Sequence, residues 1–255
     1  MSDKIIICFF GIVSRSIKFT HKILEERLIN IVKQNYNVDI YVFNNNVDND
    51  FVDGIQQINT DVKLLQCDFF EEKKQSIIDN EIHYHITFKN IVWNMPYYDR
   101  PDFNNRTKIN VFRQLYSEYQ VGLFLEKRMN DYKSAIICGP DFYLLNNISL
   151  EDINNTIDND SDIYTTIVND GFGYTNGFYI GSLKPMVKIL QRYFILEQLF
   201  PTDLDYEYLL KKTFEIYKIN RIVTNMLFEK IRSNAECTQL CKRTFPNVIF
   251  PPIIL

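Results

Sequence analysis

Glycine and proline are scarce, eight of each in 255 residues, which excludes low-complexity linkers. Alanine stands only at Ala135 and Ala235 while Ile, Asn, Lys and Tyr abound, the bias of an AT-rich genome and not of any activity. Basic excess is lacking too. The 28 Lys and Arg against 32 Asp and Glu give a net charge of −4, so nothing advertises a nucleic-acid or anionic-membrane partner. No stretch reaches the roughly 18 apolar residues of a membrane span. Residues 5–13 follow Asp3 and end at Ser14–Arg15–Ser16 without a small-residue cleavage pattern, so a first buried strand is expected there, not a secretory signal. The five cysteines are odd in number, and Cys8 and Cys138 lie in apolar runs, the usage of reduced thiols in a cytoplasmic compartment. Cys237 and Cys241 are spaced like metal ligands, but no second Cys/His pair follows and His21, His83 and His85 are remote. No dinucleotide or Walker glycine loop occurs, and no G-x-S-x-G elbow.

What the chain has is core material. It is 46% hydrophobic and 24% charged, and its 20 Phe and 16 Tyr exclude a disordered protein. The length suits one large or two small domains. With no repeat and no linker, one domain over residues 1–255 is expected, a split near residue 160 being the alternative.

Residues 4–13 form a nearly continuous apolar run, as in a strand buried on both faces. A helix follows, capped by Ser16 or Thr20 and carrying Leu24, Leu28, Ile31 and Val32 on one face. The segment 39–43 (DIYVF) is a second strand. Strand, helix, strand without a hairpin turn is a βαβ unit and predicts parallel strands. A short strand is expected at 62–65, a helix at 107–129, and strands at 134–139, 163–168 and 178–180. Helices at 184–200, 203–217 and 221–232 would fill the C-terminal third, before an extended tail. The expected class is α/β, a mostly parallel sheet with flanking helices.

In open α/β sheets, ligands bind beyond the carboxyl ends of the strands. Three polar clusters follow strands here. Gly11–Ile12–Val13–Ser14–Arg15 offers close backbone approach and a guanidinium fork suited to a diphosphate. Gly139–Pro140–Asp141–Phe142–Tyr143 puts a carboxylate where a divalent metal and a phosphate would meet, although an Asp after Pro also suits a plain turn. Residues 169–177 carry three Gly, two Asn, an Asp and interleaved aromatics, a composition for a binding loop. The alternating acids at Asp48/Asp50, Asp158/Asp160/Asp162 and Asp203/Asp205 read as solvated surface, and His83/His85 as a surface pair on a strand.

The series GIVSRS, VDIYVF, NVFRQLYSEYQV, AIICGPD, TNGFYIGS and FEKIRSN resembles the GT-A-type glycosyltransferases of polysaccharide synthesis, especially the small divergent ones of large DNA viruses. The resemblance spans roughly residues 4–234. It implies a GT-A-like, Rossmann-type fold and transfer of a sugar from a nucleotide-sugar donor to a glycan or other hydroxyl acceptor. By that pattern Gly11, Arg15 and Arg113 lie near the donor, and Asp141 is the last acid of the metal motif. Asp170, Asn176 and Gly177 face the donor sugar and acceptor, and Arg232 is a late phosphate or structural contact. Asp170 and Glu207 are the candidate catalytic bases, Glu207 being an acceptor contact otherwise. A divalent cation, Mn2+ or Mg2+, is implied as well, weakened because Gly139 stands where the motif has its first acid or Arg. That departure keeps two other readings open: metal independence, and a catalytically inactive relative serving as a glycan-binding or assembly partner. A nucleotidyltransferase is a third, weakened by the missing phosphate loops.

Overall fold

The computed structural model describes residues 3–88, 106–170, 173–199, 206–250 and 252–253. Strand β1 (Lys4–Gly11) is buried along its interior, and a 3-10 turn, Val13–Arg15, leads into α1 (Ile17–Leu24). A π-helical stretch, Glu25–Ile29, carries the helix on into α2 (Asn30–Asn35). Strand β2 (Asn37–Asn46) then lies parallel to β1, from Lys4 opposite Asn37 to Gly11 opposite Asn44. A small hairpin of β3 (Phe51–Val52) and β4 (Ile55–Gln56) follows. Next come β5 (Phe69–Lys74), α3 (Gln75–Phe88) and α4 (Arg106–Glu126). The chain re-enters the sheet as β6 (Ser134–Cys138), followed by β7 (Phe142–Leu144), α5 (Leu150–Thr156), β8 (Asp162–Thr165) and β9 (Phe178–Gly181). Helices α6 (Leu183–Leu190), α7 (Leu196–Leu199) and α8 (Tyr206–Tyr217) precede β10 (Asn220–Val223), β11 (Phe228–Lys230) and α9 (Leu240–Thr244).

Seven strands form one sheet in the order β10-β8-β9-β6-β1-β2-β5. Only β9 runs against its neighbours, β6 and β8; every other pairing is parallel. Alternation along β1 divides the interior. Ile6, Cys8 and Phe10 face a core built with α4, α6 and α8, while Ile5, Ile7 and Phe9 face one built with α1 and α2. A strand apolar at every position is therefore accounted for on both sides. The expected α/β class, with its mostly parallel sheet and flanking helices, is the one observed, and strands from both sides of residue 160 share that sheet.

Several elements differ from the sequence reading. Residues 62–64 belong to a 3-10 turn, Asn59–Leu64, that Leu65 follows, and the next strand parallel to β2 is β5 instead. His83 and His85 sit on α3, not on a strand. The helix expected over 184–200 is interrupted by a 3-10 segment, Gln191–Ile195. The helix expected over 221–232 is replaced by β10 and β11, which pair with β8 and β7. Open strand edges overrode a local pattern that fits a helix equally well. Asp203 and Asp205 lie outside the described residues, as do Gly171 and Phe172 of the glycine-rich loop. No helix among the described residues is long and apolar enough to cross a membrane.

Candidate functional site

A cleft of about 1040 Å³ opens beyond the carboxyl ends of β1 and β6. Its wall includes Gly11 and Arg15 after β1, Gly139 and Asp141 after β6, Asn176 and Gly177 before β9, Arg113 on α4 and Arg232 after β11. Five chain segments thus converge at the edge where an open parallel sheet presents its ligand.

Helix α1 ties two of those segments together. Ser16 and Thr20 were expected as caps, but neither hydroxyl caps the helix. Ser16 Oγ donates to the carbonyl of Ile231, and Thr20 Oγ1 donates to that of Pro140 at 2.6 Å. The Ile231 amide in turn donates to the Asp141 carbonyl at 2.8 Å. Three hydrogen bonds therefore hold the backbone next to Asp141 and Arg232 against the start of α1, beside Arg15.

Gly139 has a steric reason. A Cβ there would lie 2.7 Å from the Phe142 ring, which is itself stacked on Phe228 at 3.9 Å between centroids. Gly177 also lies against that ring, where a Cβ would stand 3.2 Å from Cζ; it adopts a φ of +89°, and its carbonyl accepts the Gly139 amide at 2.9 Å. The first position of the expected acidic motif is thus filled by an aromatic ring.

The cations of the cleft are not equivalent. Arg113 is committed: Nε and Nη2 bind the two oxygens of Asp79 at 2.8 and 2.6 Å, and Nη1 donates to Asn110 at 3.0 Å. Arg15 forks onto Asp53, with Nε to Oδ2 at 2.7 Å and Nη2 to Oδ1 at 2.9 Å. Burial disfavours its charge, but the Asp53 hydrogen bonds and the nearby Asp141 hold its pKa above the usual value. Burial likewise pushes Asp53 up, and the Arg15 and Ser233 contacts outweigh it, so that carboxyl sits below its ordinary value. Arg232 makes no side-chain hydrogen bond or ion pair among the described residues. Burial and the like charge of Arg15 lower its pKa, against the pull of Asp53 and Asp141. Lys230 Nζ stands 5.3 Å from the centre of the Phe142 ring.

Asn176 is oriented from beneath. Its Oδ1 accepts from the Tyr179 hydroxyl at 2.7 Å and from Arg192 Nη2 at 3.1 Å. Arg192 is wholly buried and ion-paired with the equally buried Glu118 of α4. Burial opposes the Arg192 charge, yet Glu118 keeps its pKa above the usual value.

The candidate bases are placed elsewhere. Asp170 does not line the cleft. Both its oxygens accept from Arg221 Nη2, at 2.8 and 2.7 Å, and Oδ1 also accepts from the Thr175 amide and hydroxyl. Glu207 opens α8 and also lies off the cleft wall, with Asn169 Nδ2 3.3 Å from its Oε1. Sequence reasoning missed Asp53, Lys230 and the Glu118–Arg192 pair, and named Phe142 in its cluster without its steric role against Gly139. For Asp53 a signal existed: Asp53–Gly54 between two short apolar stretches is a type I′ hairpin dipeptide, and both residues have positive φ, +51° and +77°.

The carboxylates on the cleft wall are Asp50, which is exposed, Asp53, which is bound to Arg15, and Asp141. Among the described residues no group of three or more His, Cys, Asp or Glu side chains could hold a metal. With Arg15 and Arg232 both in the field of Asp141, this donor set does not fit a divalent cation held by the protein.

No protein-family model and no curated protein matches the chain. Among solved structures it is similar to mouse xyloside xylosyltransferase 1 in its apo form, at 9% identity over 87% of this chain and 85% of that one, with a TM-score of 0.47. It is also similar to core-mannan synthase A of Aspergillus fumigatus in an Mn/GDP form, at 11% identity over 87% of this chain and 73% of that one, with a TM-score of 0.48.

Proposed function

We propose that the chain is a glycosyltransferase that moves a sugar from a nucleoside-diphosphate-sugar donor to a hydroxyl of a glycan or glycoconjugate. The observation that carries this reading is the gathering of Gly11, Arg15, Asn176, Gly177 and Arg232 around one cleft at the carboxyl edge of the sheet. The motif resemblance assigns those same positions to the donor.

The chemistry asked of the site is charge stabilisation. As the bond from the sugar to the diphosphate breaks, negative charge grows on the leaving phosphate, and fixed guanidinium groups in a partly dry cleft stabilise it more than water would. Gly11, with a φ of +105° and no atom within 4 Å of where a Cβ would stand, leaves room for close backbone approach. The oriented Asn176 amide supplies a fixed polar group for a sugar hydroxyl.

A second reading is a fold relative that binds glycan or serves in assembly without transferring sugar. The placement of Asp170 and Glu207 off the cleft wall favours it, because an inverting transfer needs a base within reach of the acceptor. Calorimetric titration with UDP, GDP, ADP and CDP, followed by incubation with the corresponding nucleotide sugars and a glycan panel, separates the readings. The transferase reading expects micromolar to millimolar binding of at least one nucleoside diphosphate and its release from the sugar donor. Glycan binding without release would favour the second reading, and silence toward every nucleotide would sink the first.

A further inference from the structure

The position that would carry a second metal-binding acid is closed by a ring that has nowhere to go. Phe142 lies against Gly139 and Gly177 along one edge, and its face is stacked on Phe228 with only 6° between the planes. An acid at 139 would have to displace a buried stack. The same stretch of chain supplies cations instead. Lys230 ends β11 opposite Phe142, and Arg232 follows two residues later, both on the cleft wall.

Arg232 is the unusual group. Its guanidinium is half-buried and close enough to Arg15 for the two charges to repel, with Asp53, Asp141 and Glu236 in its field but no side-chain hydrogen bond or ion pair to any of them among the described residues. A guanidinium held so against a like charge gains most from an anion that both can share. Its backbone cannot drift away to relieve the repulsion. The Ile231 carbonyl is held by Ser16, the Ile231 amide by Asp141, and the Arg232 amide donates to Glu236 at 2.9 Å.

Resting on the donor-binding reading above, we propose that Arg232 and Lys230, assisted by Arg15, hold the donor diphosphate in place of a divalent metal, so that nucleoside-diphosphate binding needs no metal. Asp141 is then an anion beside the phosphate and not its bridge to a cation. The proposal makes the opposite prediction for Asp141 from the one a metal site makes.

The test is calorimetric titration of the whole chain with UDP, GDP, ADP and CDP, in EDTA and in MnCl2, with the free-Mn2+ electron paramagnetic resonance signal recorded with and without protein. The expected result is one affinity in both buffers, within about twofold, and an undiminished Mn2+ signal when protein is added. Arg232→Gln and Lys230→Ala should each weaken binding by about tenfold or more, the usual scale for losing a charge-assisted hydrogen bond. Asp141→Asn should bind as well as the parent chain or more tightly. Thermal melts of each variant establish that it is folded, and Arg232→Lys should recover part of the affinity where Gln does not. Binding that needs manganese, or that Asp141→Asn abolishes, overturns the proposal and leaves the transferase reading standing. Unchanged affinity in Arg232→Gln overturns it as well. Failure of folded protein to bind any of the four nucleotides in either buffer overturns both.

Discussion

Arg192 carries its charge fully buried, ion-paired with the equally buried Glu118 and hydrogen-bonded to the Ile189 carbonyl and to Asn176 Oδ1. Removing one partner of such a pair leaves the other charge buried and uncompensated, at a cost of about 3–5 kcal/mol, whereas replacing both by apolar side chains is often neutral. Arg192→Met should therefore lower the stability read from urea unfolding by that amount, and Arg192→Met with Glu118→Leu should recover most of it. A double-variant loss equal to the sum of the losses from Arg192→Met and Glu118→Leu alone would show that the pair is not coupled. Neither residue could be singled out by sequence, because both read as ordinary charges on helices whose exposed faces are polar. Arg15 and Asp141 were legible for the contrary reason: each follows an apolar run that ends at the ligand edge of the sheet. Asp170 shows the limit of such reading. Its loop composition is that of a binding site, but the pattern over 221–232 reads as a helix, whereas β10 brings the Arg221 guanidinium onto both Asp170 oxygens.

Among the elements, the hairpin of β3 and β4 reaches the cleft through a few contacts at its tip. Asp53 bridges Arg15 and the Ser233 hydroxyl, the latter at 3.0 Å, and Ser233 Oγ also donates to the Val52 carbonyl at 2.6 Å. Since the folded carboxyl sits below its ordinary value of 3.8, the tie is present in full above that pH and is lost as pH falls through the lowered value. Asp53→Asn should accordingly speed amide exchange at Val52 and Ile55 by roughly tenfold at neutral pH, the scale of a charge-assisted hydrogen bond. Once the pH has fallen below that lowered value, the variant and the parent chain should behave alike. A difference that persists undiminished in acid would show that the ion pair is not what holds the hairpin. This element was missed although its turn dipeptide is in plain sight, because strands of two residues leave no periodicity to read. The opposite error, a helix over 221–232, came from a pattern compatible with either state, which only the edges of β8 and β7 resolved.

The molecule as a whole buries thiols and phenols in both cores. Burial raises the pKa of Cys8, Cys138, Tyr179 and Tyr206, and pushes Cys241 up to about 12. Each is neutral when folded and free to ionise when unfolded. Stability is thus present in full below the ordinary thiol value of 9.0 and is lost as pH rises from there toward the folded values. Each such group contributes up to about 1.4 kcal/mol per pH unit. Urea midpoints measured between neutrality and strongly alkaline pH should fall steadily above pH 9, and a flat profile would show that these groups ionise as easily in the folded chain.

The sequence by itself determined the α/β class, the strands β1, β2 and β6, and the identity of the cluster after each, because a strand buried on both faces must be apolar throughout and the residue where that run ends marks the ligand edge. The strands expected at 163–168 and 178–180 and the helix at 107–129 recur as β8, β9 and α4, but only the tertiary structure decided how these segments meet. Whether Asp141 faces a metal or a pair of cations depends on where β11 docks against β7, a pairing of segments some 85 residues apart. The ring that closes position 139 is set by the stack of Phe142 on Phe228. Contacts between distant segments leave no local period in the chain, so they become legible only when the sheet has brought them together.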